Sequence, residues 1–434
     1  MPLIKMTAMK TIDRSILGII ATRLKHDRIV ALTGARQTGK TTLCEIQLPE
    51  LLQLPYTYIS FDDPDERLRF QKSAVSILES ITTPLVVLDE VQKIPGLFDP
   101  LKLVTDREAR KPVPQRKTFI LTGSSQLLMM KSIRETLAGR VALHHLYPFS
   151  LHELTGGGEQ PLLSRIWRDQ SVSLADLERL QLAPPQKLRD LRAARDCSQK
   201  WGGYPPVWQR QSDVERLTWL KDYRKTYLER DISDVGSVSN INTFALAQKL
   251  LCARTANTLS VSDVARDLGV AVNTVKRYLE LLTMSFQSVL LQPWHENAGK
   301  RLIKRPKIYF PDVGLNRAIL GDMTNDRGSA YESWFLSELL KWKQLQPVEP
   351  ELYFYRTAAG MEVDFLLTGE SGIIPVESKS STHVTAADGR SVETFLSEHP
   401  KAGQIGLVVY SGDEMTEIRK GVWAVPDWYL LGSL

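Results

Sequence analysis

The sequence has little cysteine and lacks long apolar stretches. Its three cysteines lie far apart, without the spacing of a disulfide framework or a zinc site: Cys44, Cys197 and Cys252. We therefore expect buried thiols in a reducing compartment. No apolar run approaches the roughly 20 residues that span a bilayer, and the short run at residues 16–21 lacks the length and cleavage pattern of a signal peptide. These absences predict a soluble, cytoplasmic protein without membrane contact.

An excess of charge of one sign is also missing. The chain carries 55 basic and 50 acidic residues, a net charge of +5, which permits nucleic-acid binding without requiring it. Its hydrophobic share of 43% is that of a globular protein. At 434 residues the chain exceeds one ordinary domain of roughly 100 to 200 residues, so we expect several domains.

The hydrophobic pattern divides the chain into four predicted segments. In the first, short apolar runs alternate with helical stretches, which indicates a parallel α/β sheet. These runs lie at residues 29–33, 56–61, 85–88 and 118–121. A glycine cluster then precedes a helical region, which is followed by two short helices around a glycine turn and by mixed strands and helices. The predicted domains are residues 1–155, 156–250, 251–300 and 301–434.

The first apolar run leads into a segment that fits the phosphate-loop pattern and precedes a helix opening at Lys40. The residues predicted to bind ATP are Gly34, Ala35, Arg36, Gln37, Thr38, Gly39, Lys40, Thr41 and Thr42. In such a loop, backbone N–H groups face the phosphates, Lys40 reaches the outer phosphates and the Thr41 hydroxyl binds Mg²⁺. The alternative is an ordinary glycine-rich turn. Pattern and position together predict an ATP site with Mg²⁺.

The apolar run at residues 85–88 ends in two acids, Asp89 and Glu90. Beside a phosphate loop, Asp89 would hold Mg²⁺ through water, and Glu90 would polarise the water that attacks the terminal phosphate. Adjacent acids at a strand end are also common on protein surfaces. Together with the phosphate loop, however, the pair predicts an ATPase.

Two further residues are candidates for this site. Ser124 ends a predicted strand that we expect between the phosphate-loop strand and the acidic strand, where it could sense the γ-phosphate. The alternative is a hydroxyl that bonds within its own turn. Arg140 could reach a nucleotide in its own subunit or, in a homo-oligomer, the nucleotide of a neighbouring subunit. The alternative is a solvated surface arginine.

At these motifs the sequence resembles a family of prokaryotic AAA+-type ATPases that carry a C-terminal domain of uncharacterised function. The matching segments are GARQTGKTTL, LVVLDEVQKIP, FILTGSS and TLAGR in the first part, WGGYPPV and YLERDI in the middle, and RTAAGMEVDFLL and IPVESK near the end. The resemblance covers most of the chain. It implies ATP binding but no particular cellular role.

Residues 259–284 have the spacing of a winged helix-turn-helix. Asn273 is placed to cap the second helix, whose core-facing residues would be Val275, Leu279 and Leu282. The residues left free to contact DNA are Asn273, Thr274, Lys276 and Arg277. A basic cluster just beyond favours nucleic acid: Lys300, Arg301, Lys304 and Arg305. The alternative is a module that only packs between domains.

Acids and a lysine share strand faces near the end of the chain. The two-residue period places Glu362 with Asp364, pointing away from the core, and Glu377 with Lys379. If the two strands are neighbours, Asp364, Glu377 and Lys379 come together, and Glu332 on a preceding helix could join them. The set resembles the PD-(D/E)XK nuclease fold, a restriction-endonuclease-like α/β domain. That resemblance implies Mg²⁺ on Asp364, Glu377 and Glu332, with Lys379 orienting the attacking water.

Two functions fit these predictions. In the first, the chain is an ATP-driven enzyme of DNA metabolism or defence, whose nucleotide state positions the nuclease-like domain on DNA. In the second, it is a nucleotide-gated switch that binds DNA or a protein partner without cleaving. The sequence leaves the choice between them open.

Overall fold

The computed structural model describes residues 11–112, 116–123, 129, 133, 135–234, 240–295, 305–321, 327–400 and 402–434. They form two compact units. The N-terminal unit consists of Asp13–Pro148 with Met284–Phe286, and the C-terminal unit consists mainly of Phe149–Thr283 and Gln287–Leu434. Among the described residues, no helix is both long enough and apolar enough to cross a membrane. The finer division into four segments stays a prediction.

The N-terminal unit is built on a parallel sheet. The described strands are β1 (Ile29–Thr33), β2 (Tyr56–Ser60), β3 (Leu85–Asp89), β4 (Thr118–Gly123) and β5 (Val141–His145). Their order is β2-β3-β4-β1-β5, and each neighbouring pair is parallel. β1 and β3 are buried along their whole length, as continuous apolar runs in a parallel sheet require. The predicted parallel sheet is confirmed, including the position of β4 between β1 and β3.

Helices pack on this sheet around a core of branched and aromatic side chains. They are α1 (Leu17–His26), α2 (Lys40–Thr42), α3 (Leu48–Leu52), α4 (Pro64–Ser80) and α5 (Phe98–Glu108), with a π-helical segment (Leu43–Gln47) between α2 and α3. The start of α4 is fixed by its sequence, because the Asp63 carboxylate accepts the backbone N–H of Asp65 and Pro64 takes the first helical position.

The C-terminal unit begins with helices. They are α6 (Leu151–Leu154), α7 (Leu162–Asp169), α8 (Leu174–Leu182), α9 (Pro185–Trp201), α10 (Pro205–Trp208) and α11 (Asp213–Asp234). Gly202 ends α9 at a φ of 73°, and a Cβ at this position would lie 2.3 Å from a carboxylate oxygen of Asp312. The next N–H, of Gly203, donates to Asp312 at 3.1 Å. The Trp-Gly-Gly-Tyr motif therefore has a structural explanation.

The middle of this unit has the order helix, strand, helix, turn, helix, strand, strand. The elements are α12 (Ile241–Cys252), β6 (Asn257–Thr258), α13 (Val261–Leu268), α14 (Val272–Met284), β7 (Val289–Pro293) and β8 (Lys307–Tyr309). β8 pairs antiparallel with both β6 and β7. Val275, Leu279 and Leu282 are buried, as predicted.

The expected cap of α14 is wrong. The helix begins at Val272, so Asn273 is its second residue. The carbonyl of Ala271 already accepts the N–H groups of Thr274 and Val275, at 3.0 and 3.4 Å. Asn273 therefore lies inside the first turn with an exposed side chain.

The rest of the C-terminal unit extends the same sheet. Its elements are α15 (Val313–Leu320), α16 (Arg327–Lys343), β9 (Glu351–Arg356), β10 (Glu362–Gly369), β11 (Gly372–Lys379), α17 (Arg390–Glu398), β12 (Gly406–Tyr410), β13 (Thr416–Arg419), β14 (Val422–Pro426) and α18 (Asp427–Leu431). Within the described residues the strand order is β13-β14-β12-β11-β10-β9-β7-β8-β6. β10 is antiparallel to β9 and β11, whereas β12 is parallel to β11. Because β7 pairs with β9, strands from both sides of the predicted boundary at residue 300 share one sheet.

Candidate nucleotide site and carboxylate cluster

The loop after β1 is shaped by residues that the phosphate-loop pattern specifies. Gln37 and Gly39 have left-handed backbones, with φ values of 64° and 95°. A Cβ on Gly34 would lie 2.3 Å from the carbonyl oxygen of Leu146, so only glycine fits beside the end of β5. Arg36 and Thr42 are half-buried, while Thr38 and Ala35 are buried. The loop is thus tightly packed on its inner side.

Lys40 is buried at the start of the helix that follows. Its ammonium donates to the carbonyl oxygens of Gly34 at 2.8 Å and Ala35 at 2.9 Å. Burial lowers the pKa of Lys40 to about 8, although nearby Glu90 and Asp89 act in the opposite direction. The Thr41 side chain is exposed. A positive charge solvated mainly by neutral carbonyls is well suited to an anionic ligand.

Asp89, at the end of β3, is oriented by hydroxyls from both neighbouring strands. Tyr58 of β2 donates to Asp89 Oδ2 at 2.6 Å, and Thr122 of β4 donates to Oδ1. Asp89 as a whole residue is only 6% exposed. Sequence reasoning missed Tyr58 and Thr122, because their approach to Asp89 follows from strand order rather than from spacing along the chain.

Glu90 has a left-handed backbone, with a φ of 56°, which is uncommon for a residue with a side chain. The side-chain amide of Gln92 donates to its carboxylate. Gln92 in turn lies close to β4, since a Cβ on Gly123 would be 2.4 Å from Gln92 Oε1. The turn after β3 therefore sets the direction of the Glu90 side chain.

A buried arginine that sequence reasoning missed supports the loop. Arg14 precedes α1 and is only 6% exposed. Its guanidinium donates to the carbonyl of Thr38 at 2.7 Å and to that of Tyr147 at 2.5 Å. It thereby ties the phosphate loop to the segment that follows β5. Because Arg14 lies far from both partners along the chain, its local sequence does not indicate these contacts.

Of the other two candidates, Ser124 lies outside the described residues. Arg140 forms an ion pair with Asp106 at 3.1 Å, and both side chains are about half exposed, at 40% and 45%. This geometry is that of a surface arginine, the alternative that the sequence left open, and its role toward a nucleotide stays a prediction.

In the C-terminal unit, β10 and β11 bring Asp364, Glu377 and Lys379 together. The antiparallel register that pairs Phe365 with Val376 places Asp364 beside Glu377. Asp364 accepts the backbone N–H of Ser378 at 2.9 Å and its hydroxyl at 2.8 Å, and Lys379 donates to Glu377 at 2.8 Å. Burial, followed by the charge of Asp364, raises the pKa of Glu377 to about 8.

Glu332 joins these side chains from α16. One of its oxygens, Oε1, accepts the hydroxyl of Tyr309 at 2.5 Å and the ammonium of Lys307 at 2.9 Å. Burial, and then the charge of Asp364, raise the pKa of Glu332 to about 7. Lys307 also contacts Glu362, so Glu362 and Asp364 lie within a charged network instead of pointing freely outward. We call Glu332, Glu362, Asp364, Glu377, Lys307 and Lys379 the carboxylate cluster.

The structure assembles the four residues of the nuclease-like prediction, but not as a metal-binding group. Within the described part of the chain, no set of three or more His, Cys, Asp or Glu side chains is placed to hold a metal ion. Each carboxylate of the cluster already accepts a donor from the protein. A divalent cation would therefore have to displace donors that the protein supplies.

The candidate DNA-contacting residues lie on one accessible helix. Asn273, Lys276 and Arg277 of α14 are exposed, and Thr274 is half-buried. On the preceding α13, Arg266 is 75% exposed and pairs with Asp263 at 3.3 Å. The surface is therefore accessible but carries both signs of charge.

Three known families match separate segments of the chain. Residues 26–155 match the family described as an AAA domain. This segment is therefore similar to AAA-type P-loop domains. Nucleotide binding follows from that fold, as the phosphate-loop pattern predicted. Residues 200–326 match a domain of unknown function (DUF8612), and residues 327–430 match another (DUF4143), neither of which assigns an activity.

Whole-chain relatives likewise carry no assigned activity. The uncharacterized protein Rv2008c of Mycobacterium tuberculosis is 29% identical over 92% of this chain and 80% of its own. The uncharacterized protein MJ1544 of Methanocaldococcus jannaschii is 23% identical over 81% of this chain and 75% of its own.

The likeness to solved structures is weaker, as two of them illustrate. The Walker-type ATPase PABY2304 of Pyrococcus abyssi matches 71% of this chain and 96% of its own, with 15% identity and a TM-score of 0.44. The RuvB Holliday junction branch migration motor of Thermotoga maritima matches 63% of this chain and 86% of its own, with 17% identity and a TM-score of 0.28. Neither likeness assigns a function to this chain.

Proposed function

We propose that the AAA-type domain binds ATP with Mg²⁺ and hydrolyses it. The observation that carries this proposal is the buried Lys40 ammonium, held by loop carbonyls close to Asp89 and Glu90. Phosphate oxygens would take over its hydrogen bonds and supply the countercharge that the carbonyls lack. The Thr41 hydroxyl and Asp89 would hold Mg²⁺, which neutralises charge on the phosphates when bound.

The remaining groups have separate tasks. Glu90 would accept a proton from the attacking water, with Gln92 fixing its direction. Tyr58 and Thr122 keep the Asp89 carboxylate in place before nucleotide arrives.

The substitution Glu90→Gln separates binding from hydrolysis. We expect it to keep nucleotide affinity while lowering turnover by roughly 100-fold, because an amide cannot accept the proton. The measurement is phosphate release alongside binding of a fluorescent ATP analogue, with Glu50→Gln on the exposed face of α3 as the control. Wild-type turnover in Glu90→Gln would remove Glu90 from the mechanism.

Nucleotide state, we further propose, controls DNA binding by the C-terminal unit. The order of α12, β6, α13, α14, β7 and β8 supports a winged helix, with α14 as its recognition helix. Exposed Asn273, Lys276 and Arg277 would contact DNA there.

Fluorescence anisotropy with a labelled duplex tests this role. We expect Lys276→Ala and Arg277→Ala each to weaken binding and to reduce the salt slope by about one unit, as for loss of one phosphate contact. Lys249→Ala, on the exposed face of α12, is the matched control. Equal affinity of all variants, with and without ATP, would leave only a packing role for α14.

Cleavage of DNA is the second candidate function. It is favoured by the meeting of Glu332, Asp364, Glu377 and Lys379, and by the order α16, β9, β10, β11, α17, β12, which is compatible with the PD-(D/E)XK resemblance. Plasmid and single-stranded DNA incubated with Mg²⁺ or Mn²⁺, with and without ATP, provide the test. Cleavage that is lost in Asp364→Ala but kept in Glu370→Ala, an exposed acid after β10, supports a nuclease. No cleavage under any condition supports the non-cleaving switch.

A further inference from the structure

Lys307 occupies an unusual place for a lysine. It lies on β8, and its side chain is only 4% exposed. Its ammonium is 2.9 Å from Glu332 Oε1, contacts Glu362, and lies 5.6 Å from the centre of the Phe354 ring. Burying an ammonium is costly unless several groups compensate it, and here two carboxylates and an aromatic face do so.

One carboxylate partner of Lys307 is a residue that the nuclease resemblance assigns to a metal ion, and the other lies beside such a residue. Glu332 would be a metal ligand, and Glu362 shares a strand face with Asp364, whose charge also acts on Lys307. Tyr309, two residues along β8, donates to the same Glu332 oxygen at 2.5 Å. Thus β8 places two donors on the carboxylate that a divalent cation would need.

The other carboxylates are satisfied in the same way. Lys379 donates to Glu377, and the backbone and hydroxyl of Ser378 donate to Asp364. Arg356 approaches the second oxygen of Glu362 at 3.5 Å. The positive charge beside these acids thus comes from side chains of the protein itself, namely Lys307, Arg356 and Lys379.

We infer that the Lys307 ammonium takes the place of a divalent cation in the carboxylate cluster, so that the cluster works without a metal ion. A divalent cation beside the buried, singly charged ammonium would meet strong repulsion at short range. The consequence is that the C-terminal unit holds its acids in a fixed arrangement, paired with donors from its own chain, which favours the non-cleaving switch over metal-dependent cleavage. The inference concerns the cluster alone and does not depend on ATP hydrolysis.

Binding of Mn²⁺ in the absence of nucleotide tests the inference. The full chain is titrated with Mn²⁺ and followed by electron paramagnetic resonance of the free ion, with thermal unfolding as a second readout. The variants are Lys307→Met, which removes the ammonium but keeps much of the volume, and Lys307→Arg, which keeps the charge. The matched control is Lys343→Met, which removes a lysine paired with Glu349 at 2.6 Å on the same unit.

We expect Lys307→Met to bind Mn²⁺ at least roughly tenfold more tightly than wild type and to be stabilised by it. Lys307→Arg and Lys343→Met should behave as wild type, and adding Glu332→Gln to Lys307→Met should abolish the gain. If Lys307→Met fails to fold, the double variant Lys307→Met with Glu362→Gln replaces it, because both members of one ion pair are then removed. This variant keeps Glu332, Asp364 and Glu377, so we expect the same gain in Mn²⁺ affinity.

Two results overturn the inference. One is a wild-type chain that binds Mn²⁺ without nucleotide and loses it on Glu332→Gln, because the cluster would then accept a metal beside Lys307. The other is a folded Lys307→Met variant, single or combined with Glu362→Gln, without any gain in Mn²⁺ affinity. The ammonium would then not be what keeps a divalent cation out of the cluster. Neither result bears on whether Lys40 binds ATP, so the two proposals fail separately.

Discussion

Among the buried lysines, Lys40 of the N-terminal unit and Lys307 of the C-terminal unit have opposite electrostatic environments. Lys40 in the phosphate loop is 6% exposed and donates to neutral carbonyls, and burial lowers its pKa to about 8. Lys307 is 3% exposed. Burial also lowers its pKa, but the charges of Glu332, Asp364 and Glu362 together raise that pKa above its usual range. The hydrogen bonds of Lys40 go to neutral carbonyls, so a ligand can bring the directly paired countercharge, whereas Lys307 is already paired with carboxylates. A buried cation therefore indicates a ligand site only when its own chain leaves the charge uncompensated.

The largest expected effect concerns Lys40. Lys40→Met should lower ATP turnover by roughly 100-fold or more, because the ammonium stabilises charge on the outer phosphates. The measurement is steady-state phosphate release, and Lys25→Met, exposed on α1, should match wild type. Unchanged turnover in Lys40→Met would remove the nucleotide assignment and end the contrast between the two lysines.

Stability should change in opposite directions at the two sites. Lys307→Met should destabilise the protein by about 3 kcal/mol, since it leaves buried carboxylates without their partner. Lys40→Met should instead stabilise the nucleotide-free protein by about 1 kcal/mol, because a desolvated charge is removed. Denaturant unfolding at pH 7 measures both. Destabilisation of similar size at the two positions would mean that Lys40 is as fully paired as Lys307.

The lowered pKa of Lys40 makes nucleotide affinity depend on pH. In the free protein the ammonium loses its proton above about pH 8, whereas bound phosphate should restore the pKa toward 10.5. Binding then takes up a proton between these values, so affinity should fall as pH rises, approaching about tenfold per pH unit. Calorimetry at pH 9 in buffers of different ionisation enthalpy detects the proton. Binding without proton uptake at that pH would contradict a depressed pKa at Lys40.

The smallest expected effect concerns the support of the loop. Arg14→Gln should raise the KM for ATP by roughly fivefold and change kcat less, because it loosens Thr38 in the free protein without touching the phosphates. Arg14→Lys, which keeps one donor, should recover part of the loss, and Arg23→Gln, exposed on α1, should have no effect. A fall in kcat at constant KM would instead place Arg14 in the chemical step.

Contiguous features were predictable from the sequence. The phosphate loop, the acidic end of β3 and the strand pattern of the parallel sheet each reside within a short segment, and the structure has them where the sequence placed them. The face shared by Glu377 and Lys379 follows from the period of a single strand. The cap of α14 was predicted wrongly because the choice between Ala271 and Asn273 as the capping residue depends on which backbone carbonyl accepts the first helical hydrogen bonds.

Features made by distant residues were not predictable. Tyr58, Thr122 and Arg14 reach the nucleotide site from other strands or from before α1, and nothing in their local sequence marks them. The same holds for Lys307, which the predicted boundary at residue 300 separated from the strands that pair with its own.

The sequence by itself determined that this chain carries a phosphate loop on a parallel sheet, because backbone geometry at each glycine and the alternation of strands and helices are local properties. Only the tertiary structure decided how the charges at each site are compensated. Electrostatic compensation depends on distance in space and on burial, and neither is written in the order of residues along the chain. In the phosphate loop, Lys40 donates to neutral carbonyls and can pair with an anionic ligand. In the carboxylate cluster, Lys307 is already paired with Glu332 and Glu362.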